Sequence, residues 1–133
     1  MEKNKLDEIL NEGIYGKKEI LPDERNLFLG TIRERIYLAL SNSQVRKKDI
    51  YKEVEQLIQR GDNKNIQLLI NGSINYDAYS KYLHLATQYS VPFTIVHQRR
   101  KTPIGIVITS KKALHEERKF FIEDDDFYVD FPQ

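Results

Sequence analysis

Residues 65–96 read NIQLLINGSINYDAYSKYLHLATQYSVPFTIV. An apolar run, a glycine turn, an amphipathic stretch and a second apolar run follow one another with little slack. Asn65–Asn71 is too short for a helix and bounded by polar residues, which fits a strand buried on both faces. Asn71-Gly72-Ser73 supplies a turn in which Gly72 can take positive φ. A helix follows from Asn75 or Asp77, its apolar positions Ala78, Tyr79, Tyr82, Leu85, Ala86 and Tyr89 forming one stripe. Val91-Pro92 ends it, and FTIV (93–96) is the next strand. Strand, helix, strand is the βαβ unit of a parallel sheet.

The flanking patterns extend this unit. Leu6, Ile9 and Leu10 predict a short N-terminal helix within residues 4–12, stopped at Gly13. Lys17 to Glu24 reads as irregular surface chain, and NLFLG (26–30) as either an extended edge or a helical turn. RIYLALS (35–41) alternates like a strand. Ser41-Asn42-Ser43 is a cluster of cap formers before the stripe Ile50, Tyr51, Val54, Leu57 and Ile58, which ends at Gly61. Residues 97–102 are too few for a helical crossover, so FTIV and PIGIVI (103–108) are expected to form an antiparallel hairpin. Thr109-Ser110 then caps a predicted helix, KKALHEERKF. The expected architecture is α+β: a mixed sheet of about four strands in β-α-β-α-β-β order with helices packed on it.

Composition narrows the class. The chain has 133 residues and no cysteine, which excludes disulfides, thiolate catalysis and cysteine-ligated metal. One domain is expected over 1–133: an N-terminal helix and turn to residue 20, a core over 35–119, and an acidic aromatic tail over 120–133. The charged N-terminus lacks the apolar segment of a secretory signal, and no run is long enough for a membrane span. A cytoplasmic protein is expected. The formal net charge is +1, but residues 123–133 contain five acids and no base, leaving +6 for residues 1–122. Such a body can attract anionic partners, although scattered surface charge gives the same count. The rings of Phe120, Phe121, Phe127, Tyr128 and Phe131 predict that the tail is ordered at least in part, packed on the body or on a second subunit, with Asp124–Asp126 facing basic residues.

Two stretches carry a resemblance. LPDERNLFLGTIRERIYLALSNSQV (21–45) and LLINGSINYDAYSKYLHLATQYSVPFTIV (68–96) resemble the YueI-like family, small bacterial proteins of unknown function. The resemblance implies a Bacillus chorismate mutase-like α+β fold and carries no catalytic residue with it. The strand and helix order is also similar to that of kink-turn-binding ribosomal proteins, whose signature is Gly-x-Asn-x-x-x-Lys. Here Leu40-Ser41-Asn42-Ser43-Gln44-Val45-Arg46 keeps the Asn42-to-Arg46 spacing, with Leu40 in the glycine position.

Three junctions then become candidates for an anion or ligand rim: Ser41, Asn42 and Ser43; Asn71, Gly72 and Ser73; Thr109, Ser110 and Lys111. Parallel strands would bring all three to one sheet edge, where helix N-termini favour anions. Ordinary N-capping uses the same residue types. Arg46, with Arg99, Arg100 and Lys101 in the loop after FTIV, is a candidate nucleic-acid contact. No nucleophile motif, glycine-rich phosphate loop or spaced acid pair occurs, and His84, His97 and His115 lack ligand spacing. No catalytic residue, metal or cofactor is expected. The readings left open are a binding or regulatory module with a protein partner, a structured-RNA binder, and a small phosphate-ligand binder or enzyme. Oligomer formation is left open as well.

Overall fold

The computed structural model describes residues 20–60, 65–114 and 119–132; the helix expected over 4–12 lies outside them. Lys17–Glu24 was expected to be irregular, but a helix, α1, runs Ile20–Leu27. Pro22 is tolerated in its first turn, where backbone N–H groups have no helical partner. Leu29 ends α1 at φ 58 and Gly30 follows at φ 105, while the Gly30 N–H reaches back to the Arg25 carbonyl at 2.7 Å. That is a left-handed helix cap. Placing a leucine there costs on the order of 1–2 kcal/mol, and burial of Leu29 beside Phe28 opposes the cost.

A 3₁₀ turn at Arg33–Arg35 leads into β1, Ile36–Ser41. Ser41 and Gln44 then form a reciprocal capping box that starts α2, Asn42–Arg46. The single helix expected between Ser43 and Gly61 is two helices, because the chain turns extended at Lys47 and resumes as α3, Lys52–Gln59. The break directs Tyr51 onto Asp124 in the tail, with the phenol donating at 2.6 Å. The central unit follows as read: β2 over Ile66–Asn71, α4 over Tyr76–Gln88 and β3 over Phe93–Val96. β4 spans Ile104–Ser110, and the tail forms a short helix, α5, over Asp125–Asp130.

The four-stranded mixed sheet has the order β1-β4-β2-β3, with β2 and β3 parallel and β4 antiparallel to both β1 and β2. The expected β3–β4 hairpin is therefore absent. Loop 97–103 instead carries the chain across the end of β2. Passing one strand requires about 10 Å between strand axes, and seven extended residues reach about 23 Å. Every residue of β4 is buried, whereas β3 is half exposed. The apolar run therefore takes the centre and FTIV the edge. The helix expected over KKALHEERKF does not start at Thr109-Ser110. Residues 111–114 and 119–120 are not helical, and 115–118 lie outside the described residues.

Two cores sandwich the sheet. Leu38, Leu40, Leu68, Ile70, Ile106 and Ile108 pack under α2, α3 and α4 with Val45, Val54, Ile58 and Tyr82. On the other face Ala39, Leu69 and Val107 pack with Phe28, Phe127 and Phe131. The second layer therefore joins the end of α1 to the tail. Phe121 also forms a parallel bridge with Ala39 beside the β1 edge. No described helix is long and apolar enough to cross a membrane.

Candidate functional site

The junctions at the ends of β1 and β2 share one sheet edge, as expected, but their polar groups are engaged with one another. Asn42 Nδ2 donates to the Thr102 carbonyl at 3.0 Å and Asn71 Nδ2 to the Ile104 carbonyl at 3.1 Å. Asn71 Oδ1 accepts from the Ser73 N–H at 2.9 Å and the Ser73 hydroxyl at 2.7 Å. The imidazole of His97 lies against Gly72. Together these groups hold the crossing loop in place.

At the start of α2, a carboxylate of the chain occupies the position expected for an external anion. Asp130 accepts from the Ser43 N–H at 2.6 Å and from its hydroxyl at 3.1 Å. Asp124 accepts from Tyr51, from Gln44 Nε2 at 3.0 Å and from the Phe127 N–H at 2.9 Å. Lys47 lies 3.9 Å from Asp124 and 3.6 Å from Asp126. The tail's acids thus face a basic residue and hydrogen-bond donors. Of the candidate nucleic-acid contacts, Arg46, Arg99, Arg100 and Lys101 are exposed, and Arg100 pairs with Asp23 at 3.3 Å. Asn42, held by Thr102, does not present its amide beside Arg46.

Burial would raise the Asp124 carboxyl, but Tyr51, the Phe127 N–H, Gln44 and Lys47 outweigh it and hold the group below its ordinary value. A carboxyl depressed in the folded state stabilises above its unfolded pKa, about 3.9, and that contribution is lost as pH falls through the lower folded value. Stability should therefore decline below about pH 4. Asp124→Asn should make the decline shallower in urea titrations run from neutral pH downward. Equal declines in both proteins would place the acid sensitivity elsewhere.

Thr109, Ser110 and Lys111 lie at the opposite edge, because β4 runs against β1 and β2. They do not join the other two junctions. Instead they line a pocket of about 480 Å³ over the second face of β2, β3 and β4, with Arg25, Leu29, Gly30, Thr31, Arg35, Gln67, Leu69, Thr94 and Val96. Strand alternation puts Gln67 and Leu69 on the face shared by Thr94 and Val96, since Leu69 pairs with Thr94. The cap of α1 forms one wall, and Leu29 at φ 58 belongs to it. Thr31 and Thr109 are bonded to each other at 2.9 Å, and Thr109 also donates to the Arg35 carbonyl at 3.2 Å.

Among the described residues the lining contains three cations, Arg25, Arg35 and Lys111, and no carboxylate. Among the described residues none of the three forms an ion pair; Glu24 instead pairs with Arg33 at 3.7 Å. Arg25 donates to the Gly30 carbonyl at 2.8 Å, which fixes one arm of its guanidinium. Arg35 Nε is buried without a hydrogen-bond partner. Cations without an ion pair among the described residues, hydroxyls and an apolar floor can receive an anion attached to a less polar body. No group of three His, Asp or Glu side chains that could hold a metal occurs among the described residues. Sequence reading missed Arg25, Arg35, Thr31, Gln67 and Thr94, which come from separate elements and share no spacing.

Comparison with known proteins gives a consistent placement. Residues 3–120 match a family described as protein of unknown function (DUF1694). The chain is 44% identical over 126 residues to "Uncharacterized protein YueI" of Bacillus subtilis (strain 168), covering 94% of this chain and 93% of that protein. The crystal structure of the YueI protein from Bacillus subtilis matches with a TM-score of 0.79 at 43% identity, covering 95% of this chain and 97% of that one.

Proposed function

The chain belongs to the DUF1694, or YueI-like, family of proteins of unknown function, and we propose that it binds a small anionic molecule in the cationic pocket, as a cytoplasmic binding or regulatory module without catalytic activity. The observation that carries this reading is a cavity with Arg25, Arg35 and Lys111 in its lining and no counter-charge among the described residues. Arg25 and Lys111 are exposed and Arg35 is half-buried, so the pocket presents a positive surface that an anion can meet. Strain at Leu29 in the pocket wall supports the same reading, since strained backbone is retained where a site needs its shape. The finer fold assignment, Bacillus chorismate mutase-like, is supported by the β-α-β-α-β-β succession.

Pyrophosphate titrated into the isotope-labelled full chain should shift the backbone resonances of Thr94, Ser110 and Lys111. Arg35→Met with Lys111→Met should weaken its binding at least about tenfold, near the 1.5–3 kcal/mol of one charge-assisted hydrogen bond. Arg35→Met alone should leave the melting temperature unchanged or raised, because Nε has no partner to lose. Undiminished pyrophosphate binding in the double variant would remove the pocket from the account. Shifts confined to Arg46 and residues 99–101 on adding a folded RNA, with the pocket silent to pyrophosphate, would favour the RNA reading.

A further inference from the structure

We infer that the ligand of this pocket is a phosphate monoester carrying a small apolar or planar body, an inference that rests on the anion-pocket reading above. A carboxylate has one charge and two acceptor oxygens, so a single guanidinium can satisfy it and two of the three cations would remain uncompensated. A phosphate monoester carries roughly −1.5 to −2 near neutral pH and offers three acceptor oxygens. The donors present match that demand. Arg25, whose guanidinium has five N–H donors and gives one to the Gly30 carbonyl, and the Lys111 ammonium supply charged donors. Arg35 Nε is a buried donor without a partner. The rest of the pocket excludes a bare inorganic ion as the whole ligand. Leu69 and Val96 offer such an ion nothing, and a cavity of about 480 Å³ has room for a ring beside the phosphate.

Three probes separate the alternatives: phenyl phosphate, benzoate and inorganic phosphate, each titrated into the isotope-labelled full chain. Phenyl phosphate should bind at least tenfold more tightly than either of the others, with shifts at Leu69, Val96 and Ser110. Its affinity should rise several-fold between about pH 5 and pH 7.5 as the second phosphate proton leaves, at a pKa of about 6. Benzoate is ionised throughout that range and controls for changes in the protein. Arg35→Met should weaken phenyl phosphate by a larger factor than benzoate. Benzoate binding as tightly as phenyl phosphate, or no tightening with pH, would overturn the monoester inference while the anion pocket stands. Silence of the pocket toward all three probes and toward pyrophosphate would overturn both.

Discussion

Truncation after Ile122 is expected to bring the domain to the edge of unfolding, although it removes only a short segment. Phe127 and Phe131 are 1% and 0% exposed. They stack at 4.9 Å, and Phe121 lies 5.1 Å from the first ring and 5.7 Å from the second. Removing a buried phenylalanine typically costs about 3–5 kcal/mol. Loss of both approaches the roughly 5–15 kcal/mol by which whole domains are stable. The ion pairs of Lys47 are partly exposed and add at most about 1 kcal/mol, so the rings dominate. Thermal melts of the two chains provide the measurement. A melting temperature within a few degrees of the full chain's would mean that α1 and the sheet cohere without the tail.

Gly105→Val is expected to destabilise by about 3 kcal/mol or more, beyond the usual range for overpacking. Gly105 sits in the central strand, and a Cβ there would stand 2.7 Å from Val45 Cγ2, 3.0 Å from Ile74 Cδ1 and 3.1 Å from Asn42 Oδ1. Val45 and Ile74 are buried and Asn42 is held on the crossing loop, so none of the three can retreat cheaply. The effect should exceed that of Gly105→Ala, and denaturant midpoints would rank the two. Equal, small losses would show that Val45 and α2 move aside freely.

The central unit was legible because its signals are local. Asn71-Gly72-Ser73 turns the chain, Tyr79, Tyr82, Leu85 and Ala86 repeat at helical spacing, and Pro92 closes the segment. Strand order was not legible by the same means. FTIV and PIGIVI lie close in sequence, and nothing in the loop between them distinguishes a hairpin from a step across β2. The complete burial of β4 against the half exposure of β3 is foreshadowed in the sequence, since Ile104–Ile108 contains no polar side chain while FTIV includes Thr94. The pocket was legible only at Thr109, Ser110 and Lys111. Arg25 and Arg35 meet them through a helix cap and a 3₁₀ turn, a meeting set by tertiary packing. The rim expected at Ser41–Ser43 met a different outcome: the N-cap signal was sound, but Asp130, 87 residues from Ser43, supplies the anion.

The placement of β4 also governs the order in which the molecule can be assembled. Translation delivers β1, β2 and β3 first, yet β1 and β2 are not neighbours in the sheet, and the strand between them is the last of the four described. Until β4 emerges, β1 has no sheet partner and β2 only β3. The phenylalanines that cover the second face come later still. A growing chain therefore holds unpaired apolar strands from the emergence of β1 until that of β4, the condition under which association between chains competes with folding. Closure of the sheet and sealing of its second face belong to the same event, when β4 and the phenylalanines of 120–131 arrive together.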